Sequence, residues 1–253
     1  MPTAYHRLNP LTKLVLAATV TLGAFAAGGY AVPLGLVALV VVPGSLAARV
    51  TLRLVRIAVV VSAPIAVSVA LVSVFTRAGH TVLFSIGPFD ATGEGLDFAG
   101  HVLARMFAAA MALVLFGLTT DPRALVADLE HRGLSPRIAF AAAATLQTIP
   151  LLVERARVIR DAQRARGLDT EGSLRTRAAA VLPLAGPLVL SALTDVEERS
   201  LALEVRGFGR PGRRQLLWAI PDSGVQRALR WGCVAALVAF LVARVTGVLP
   251  VLP

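Results

Sequence analysis

Few residues of this chain have types and spacings that suit chemistry. The four histidines, His6, His80, His101 and His131, are scattered and lack the short spacing of a metal site. The one cysteine, Cys233, lies inside an apolar run, which excludes a disulfide framework or a thiolate site within the chain. No G-x-x-x-x-G-K-[ST] phosphate loop is present, so the chain itself is not expected to hydrolyse ATP. H-E-x-x-H, G-x-S-x-G and paired carboxylates within an apolar span are also missing. Arg105 and Arg244 are the main charges at membrane depth. An intramembrane charge points to function by default, but a long side chain also snorkels to the nearer interface, and that is the expectation here.

The informative part is 150–214. Leu151 to Gly167 reads as an amphipathic helix, with Leu151, Val158, Ala162 and Ala165 as its apolar stripe. Arg157 and Asp161 are four apart and are expected to pair on its polar face. A second stretch repeats the plan, with Leu193, Val196, Ser200 and Leu203 on one stripe and Glu197, Glu198, Arg199 and Glu204 around it. The two helices finish on Ala165-Arg166-Gly167 and Val205-Arg206-Gly207. The Arg-Gly dipeptide alone is not specific. Composition predicts about two of them, and a third, Arg132-Gly133, stands at another expected helix end. A cation near the last carbonyls and a glycine cap explain such an ending without further function.

The elements that must position these tips follow from composition. Of the 253 residues, 56% are hydrophobic and only 16% charged, with a mean hydropathy of +0.74. A soluble domain carries about a quarter charged residues, so membrane residence is the simplest account. The net charge of +10 does not indicate nucleic acid, because the arginines are not interleaved with aromatics; cytoplasmic loops collect arginine for topological reasons. The opening Met1 to Leu14 shows no small-residue cleavage site and is read as leading into a retained first helix.

From Leu14 to Ala48 no charge occurs, a run too long for one crossing of a hydrocarbon core about 30 Å thick. Gly28-Gly29 and Pro33 mark the turn. Spans are expected near 11–29, 32–48, 57–76, 98–119 and 229–248, with 77–97 as an acidic loop. Arg7 and Lys13, the group Arg49, Arg53 and Arg56, and the arginine-rich 120–228 then all fall on the cytoplasmic side, and the C-terminus falls outside. Two shorter apolar pieces, Ile138 to Val153 and Ala178 to Thr194, would place an arginine excess outside if both crossed, so they are read as packed on the bundle or dipping into the interface. The fold class is an all-α membrane protein with about five transmembrane helices and a cytoplasmic domain of long amphipathic helices. Its parts are a four-helix membrane region (1–119), the cytoplasmic helices (120–224) and a final span (225–253).

Three motifs carry a resemblance. His6-Arg7-Leu8-Asn9-Pro10-Leu11-Thr12-Lys13-Leu14 resembles the opening of the transmembrane T component of energy-coupling factor transporters, the CbiQ/BioN-like family. Ala165-Arg166-Gly167 is similar to that family's first Ala-Arg-Gly signature. Glu204-Val205-Arg206-Gly207-Phe208 is similar to the second, with Val205 where alanine is usual. The likeness implies a coupling scaffold of an ABC-type importer, and the long helices become its coupling helices. Two ABC ATPase subunits, carrying ATP and magnesium, would lie below it. A separate small membrane subunit would capture a vitamin or transition metal, and this chain would bind no cofactor itself. Ala165, Arg166 and Gly167, with Val205, Arg206 and Gly207, would dock the ATPases, and a guanidinium suits that role because it stays charged and grips a carboxylate bidentately. A self-sufficient carrier or channel would instead need acidic or polar groups at the bilayer midplane, and the spans hold almost none. A membrane-embedded enzyme would have to rest on His101 or His131.

Overall fold

The computed structural model describes residues 5–76, 81–86, 89–168, 172–208 and 222–247. His80, and with it parts of the expected 77–97 loop, lie outside these. The chain divides into two compact units, residues 1–125 with 219–253, and residues 126–218.

The first unit begins with α1 (Pro10–Ala26), whose start is fixed by Asn9: its side chain accepts from the Leu11 N–H, and Pro10 occupies the first turn. The chain turns at 27–30 and continues through α2 (Ala31–Leu36), a π-helical turn (Val37–Val41) and α3 (Val42–Ala48). Arg49 closes α3 in the left-handed region, with φ of 57°. Next, α4 (Thr51–Thr76) runs through Pro64, a break that membrane helices tolerate. The segment expected as a loop contains a hairpin, β1 (Val82–Ile86) antiparallel to β2 (Phe89–Thr92). Glycines and a proline punctuate this stretch in sequence, and they mask two short β-competent runs. Thr92 then caps α5 (Gly93–Thr119) by accepting from the Gly95 N–H, so this helix starts before the expected residue 98. The last helix is α9 (Gly224–Val245).

The core of this unit is made of small and branched residues: Ala17, Val20, Val41, Leu54, Ala58, Met111, Ala112 and Leu115. Small side chains let helices approach closely where lipid removes the usual hydrophobic drive. A Cβ on Gly95 would stand 2.5 Å from the Ser73 carbonyl oxygen, so α4 and α5 meet there backbone to backbone. Outward-facing leucines and valines of α4, among them Leu52, Val60, Val67 and Val72, are exposed, as lipid-facing residues of a span should be.

The ends of these helices are fastened by polar groups. Asn9 donates its backbone N–H to Gln226 Oε1 at 2.9 Å. Lys13 Nζ donates to the Thr119 carbonyl at 2.8 Å, where α5 presents unsatisfied C-terminal oxygens. Arg230 donates to Thr12 Oγ1 at 2.9 Å and to Asp222 Oδ2 at 2.8 Å. At the opposite end of α1, Arg105 Nη2 donates to the Gly28 carbonyl at 2.9 Å. Arg105 therefore closes the turn after α1. Beside it, the Tyr30 hydroxyl donates to the Asp97 carbonyl at 2.9 Å. Helices α1 and α5 are thus antiparallel, and α1 and α9 parallel.

The second unit is built on two long helices. A short helix, α6 (Pro122–His131), straddles the division between the units. Then follow α7 (Pro136–Ala165) and α8 (Leu174–Val205), each continuous through internal prolines: Pro150 in α7, Pro183 and Pro187 in α8. The apolar piece and the charged piece that the sequence separates are therefore one helix in each case.

By length and composition, six stretches among the described residues suffice to cross a membrane: 31–48, α4, α5, α7, α8 and α9; α1 is a shorter apolar helix. The five expected spans correspond to α1, 31–48, α4, α5 and α9. The chain is an all-α multi-pass membrane protein apart from the hairpin. The apolar windows of α7 and α8 bring them to the same length and hydropathy criterion.

Candidate docking site at two helix tips

Both tips are Schellman caps. At α7 the Gly167 N–H reaches the Arg164 carbonyl at 2.9 Å and the Leu168 N–H reaches Gln163 at 3.0 Å. At α8 the Gly207 N–H reaches Glu204 at 2.9 Å and the Phe208 N–H reaches Leu203 at 2.9 Å. The motif needs a left-handed residue just past the helix; Gly167 and Gly207 supply it, with φ of 90° and 70°. Gly133 ends α6 the same way, with φ of 117°. The backbone therefore treats all three Arg-Gly dipeptides alike.

The guanidiniums separate them. Arg132 turns back onto Asp128 of its own helix, at 2.9 Å from Nε to Oδ2. Arg166 and Arg206 are exposed, and their guanidiniums have no hydrogen-bond or ion-pair partner among the described residues. Ala165 and Val205, the residues before them, are exposed too; Val205 is 89% accessible. Each tip thus offers a free cation beside a small apolar surface, on a rigid cap.

Helices α7 and α8 hold these tips apart. Phe140 of α7 packs on Phe208, ring centroids 4.9 Å apart. Thr148 accepts from Arg199 at 3.2 Å. Arg155 Nη1 meets Asp195 Oδ2 at 2.6 Å and Ser191 Oγ at 2.9 Å. Every step forward along α7 is a step back along α8, so the pair is antiparallel. Arg166 falls level with about Leu182, some 24 residues or about 36 Å along the axis from Arg206. The tips point to opposite ends of the pair.

The sequence reading missed Arg155, Asp195 and the Phe140–Phe208 contact. A basic residue in one long helix and an acid in the next were the available signal, and the register between the helices was not. The stripe on α7 also differs from expectation. Leu151, Val158 and Ala162 are exposed on α7, Val158 to 63%, and the face turned to α8 carries Phe140, Thr148, Leu152 and Arg155. On α8, Leu193 is exposed, whereas Val196, Ser200 and Leu203 of the expected stripe line the groove toward α7. Arg157 pairs with Glu154 at 3.3 Å, and Asp161 with its neighbour Arg160 at 3.4 Å, in place of the expected Arg157–Asp161 bridge. Between α7 and α8 lies an open groove of about 410 Å³, lined by Phe140, Ile149, Leu152, Val196 and Leu203 among others. Among the described residues no three His, Cys, Asp or Glu side chains come together to hold a metal.

Residues 2–216 match the CbiQ family, described as cobalt transport protein. The chain belongs to this family. The match includes both arginine tips and stops before α9. The energy-coupling factor transporter transmembrane protein EcfT of Exiguobacterium sibiricum is 35% identical over 164 residues, 60% of this chain and 62% of that protein. EcfT of Bacillus subtilis is 33% identical over 174 residues, 63% and 64% of the two chains. EcfT of Thermosediminibacter oceani is 29% identical over 234 residues, 86% of each. In the first two alignments the chain spans less than two thirds of the relative's length. The resemblance read from the three motifs is to this same family.

Proposed function

We infer that this CbiQ-family protein is the coupling scaffold of an energy-coupling factor importer for a vitamin or a transition metal. The observation that carries this reading is the pair of unpartnered guanidiniums, Arg166 and Arg206, at opposite ends of a braced antiparallel helix pair. Tips about 36 Å apart suit two separate partner subunits better than one. Each arginine docks in an acidic groove of one ABC ATPase, where a guanidinium meets a carboxylate bidentately. ATP and magnesium belong to those ATPases. When the ATPases close, the two tips move relative to each other, and the exposed apolar faces of α7 and α8 pass the motion to a small substrate-binding membrane subunit. The scaffold lies in the bacterial inner membrane with its N-terminus and residues 120–224 on the cytoplasmic side and its C-terminus outside. The relatives named EcfT support this reading.

The test is co-purification from mild detergent. Changing Arg166 and Arg206 together to alanine is expected to release both ATPase subunits and abolish uptake, whereas Arg132→Ala retains them. Intact assembly and uptake in the double variant would overturn the docking assignment.

A further inference from the structure

Where α1 begins and α5 stops, the first unit opens into a cleft of about 580 Å³. Lys13 lines it, although the residue is only 3% exposed. Its ammonium has three donors. Two go to the carbonyls of Thr119 at 2.8 Å and His6 at 3.2 Å, and the ammonium also lies over the Tyr5 ring, 5.6 Å from its centroid, which leaves one N–H without an acceptor and a charge without an anionic partner among the described residues. Thr120 lines the same cleft at 9% exposure, and its hydroxyl has no hydrogen-bond partner among the described residues. Arg7, exposed, stands at the rim. The acid in the lining, Asp121, turns Oδ1 to the Arg123 N–H at 2.9 Å. A buried cation with a spare donor, an unmatched hydroxyl and a rim guanidinium all suit one kind of ligand, an anion with several oxygens.

The position of the cleft narrows the choice. Pro10 and Thr119 are the first and last residues of two apolar helices, so the cleft sits at one edge of the hydrocarbon core, the depth at which lipid phosphates lie. Leu8 and Leu118 give the remaining wall an apolar character that an acyl chain or glycerol backbone would cover. We propose that this cleft binds the phosphate of an anionic phospholipid. Lys13 Nζ and Thr120 Oγ1 donate to the phosphate oxygens, and Arg7 closes over them. This site is independent of ATPase docking, since it uses only residues of the first unit.

The experiment is native mass spectrometry of the full chain released from nanodiscs of equal phosphatidylglycerol and phosphatidylcholine. Retained phosphatidylglycerol is the expected result, with its affinity falling about tenfold in the double variant Arg7→Gln, Thr120→Val. Arg53→Gln, which removes an exposed arginine outside the cleft, keeps the lipid. Lys13→Gln is read alongside, with thermal unfolding to check that the fold persists. Equal retention of both lipids, or equal loss in Arg53→Gln and the cleft variant, overturns the proposal. So does displacement of the lipid by millimolar inorganic phosphate, which would make a free anion the ligand.

Discussion

At the scale of single residues, the same dipeptide performs the same backbone task three times, and only side-chain pairing tells its copies apart. Arg132 spends its charge on Asp128, while the guanidiniums of Arg166 and Arg206 stay exposed and unpaired among the described residues. The residue that most affects those two tips touches neither of them. Arg155 joins α7 to α8 through Asp195 and Ser191, with side chains of the ion pair 30% and 24% exposed. That places it between a surface pair worth up to about 1 kcal/mol and a fully buried one, whose rupture costs about 3–5 kcal/mol. Arg155→Ala is therefore expected to destabilise the helix pair by about 2 kcal/mol. The exchanged variant Arg155→Asp, Asp195→Arg should recover much of that loss. A double-mutant cycle on thermal unfolding in detergent checks this. Strictly additive single and double variants would mean that the contact contributes nothing.

At the scale of elements, the antiparallel register of α7 and α8 decides where the tips stand. Spin labels on Arg166→Cys and Arg206→Cys in the Cys233→Ala background should give a mean distance near about 36 Å. A parallel pairing would bring the labels together, and a mean under about 20 Å in pulsed dipolar spectroscopy would exclude the register described. Not all of this arrangement was legible in the sequence. Helices α4, α5 and α9 were, because a long uncharged run has few alternatives to a span. The unbroken length of α7 and α8 was not, because the change from apolar to charged residues along each read as a boundary. The stripe on α7 misled for a related reason. Periodicity finds an apolar face but does not say what covers it, and Val158 faces away from α8. The two tips were found by motif, whereas the brace between them depends on contacts 36 and more residues apart.

At the scale of the whole molecule, the N-terminal motif acquires a structural meaning that a linear reading could not give it. Asn9, Thr12 and Lys13 are nearly adjacent in sequence, yet their partners lie 217, 218 and 106 residues away. Through them the first helix holds the end of α5 and the start of α9, so the last span is fastened to the first. Arg230 is central to this, being 6% exposed and bonded to both Thr12 and Asp222. Arg227 approaches the same Asp222 carboxylate only to 4.0 Å and is 65% exposed at its side chain. The two arginines thus form a matched comparison within one helix. Arg230→Met removes a desolvated cation from one buried and one half-buried acceptor and is expected to cost about 3 kcal/mol, lowering the unfolding temperature and detaching α9 early. Arg227→Met should cost less than about 1 kcal/mol. Limited proteolysis between α8 and α9, read together with the unfolding curve, distinguishes them: accelerated cleavage in Arg230→Met alone fits the fastening, and equal behaviour of the two variants would show that α9 is held by apolar packing instead.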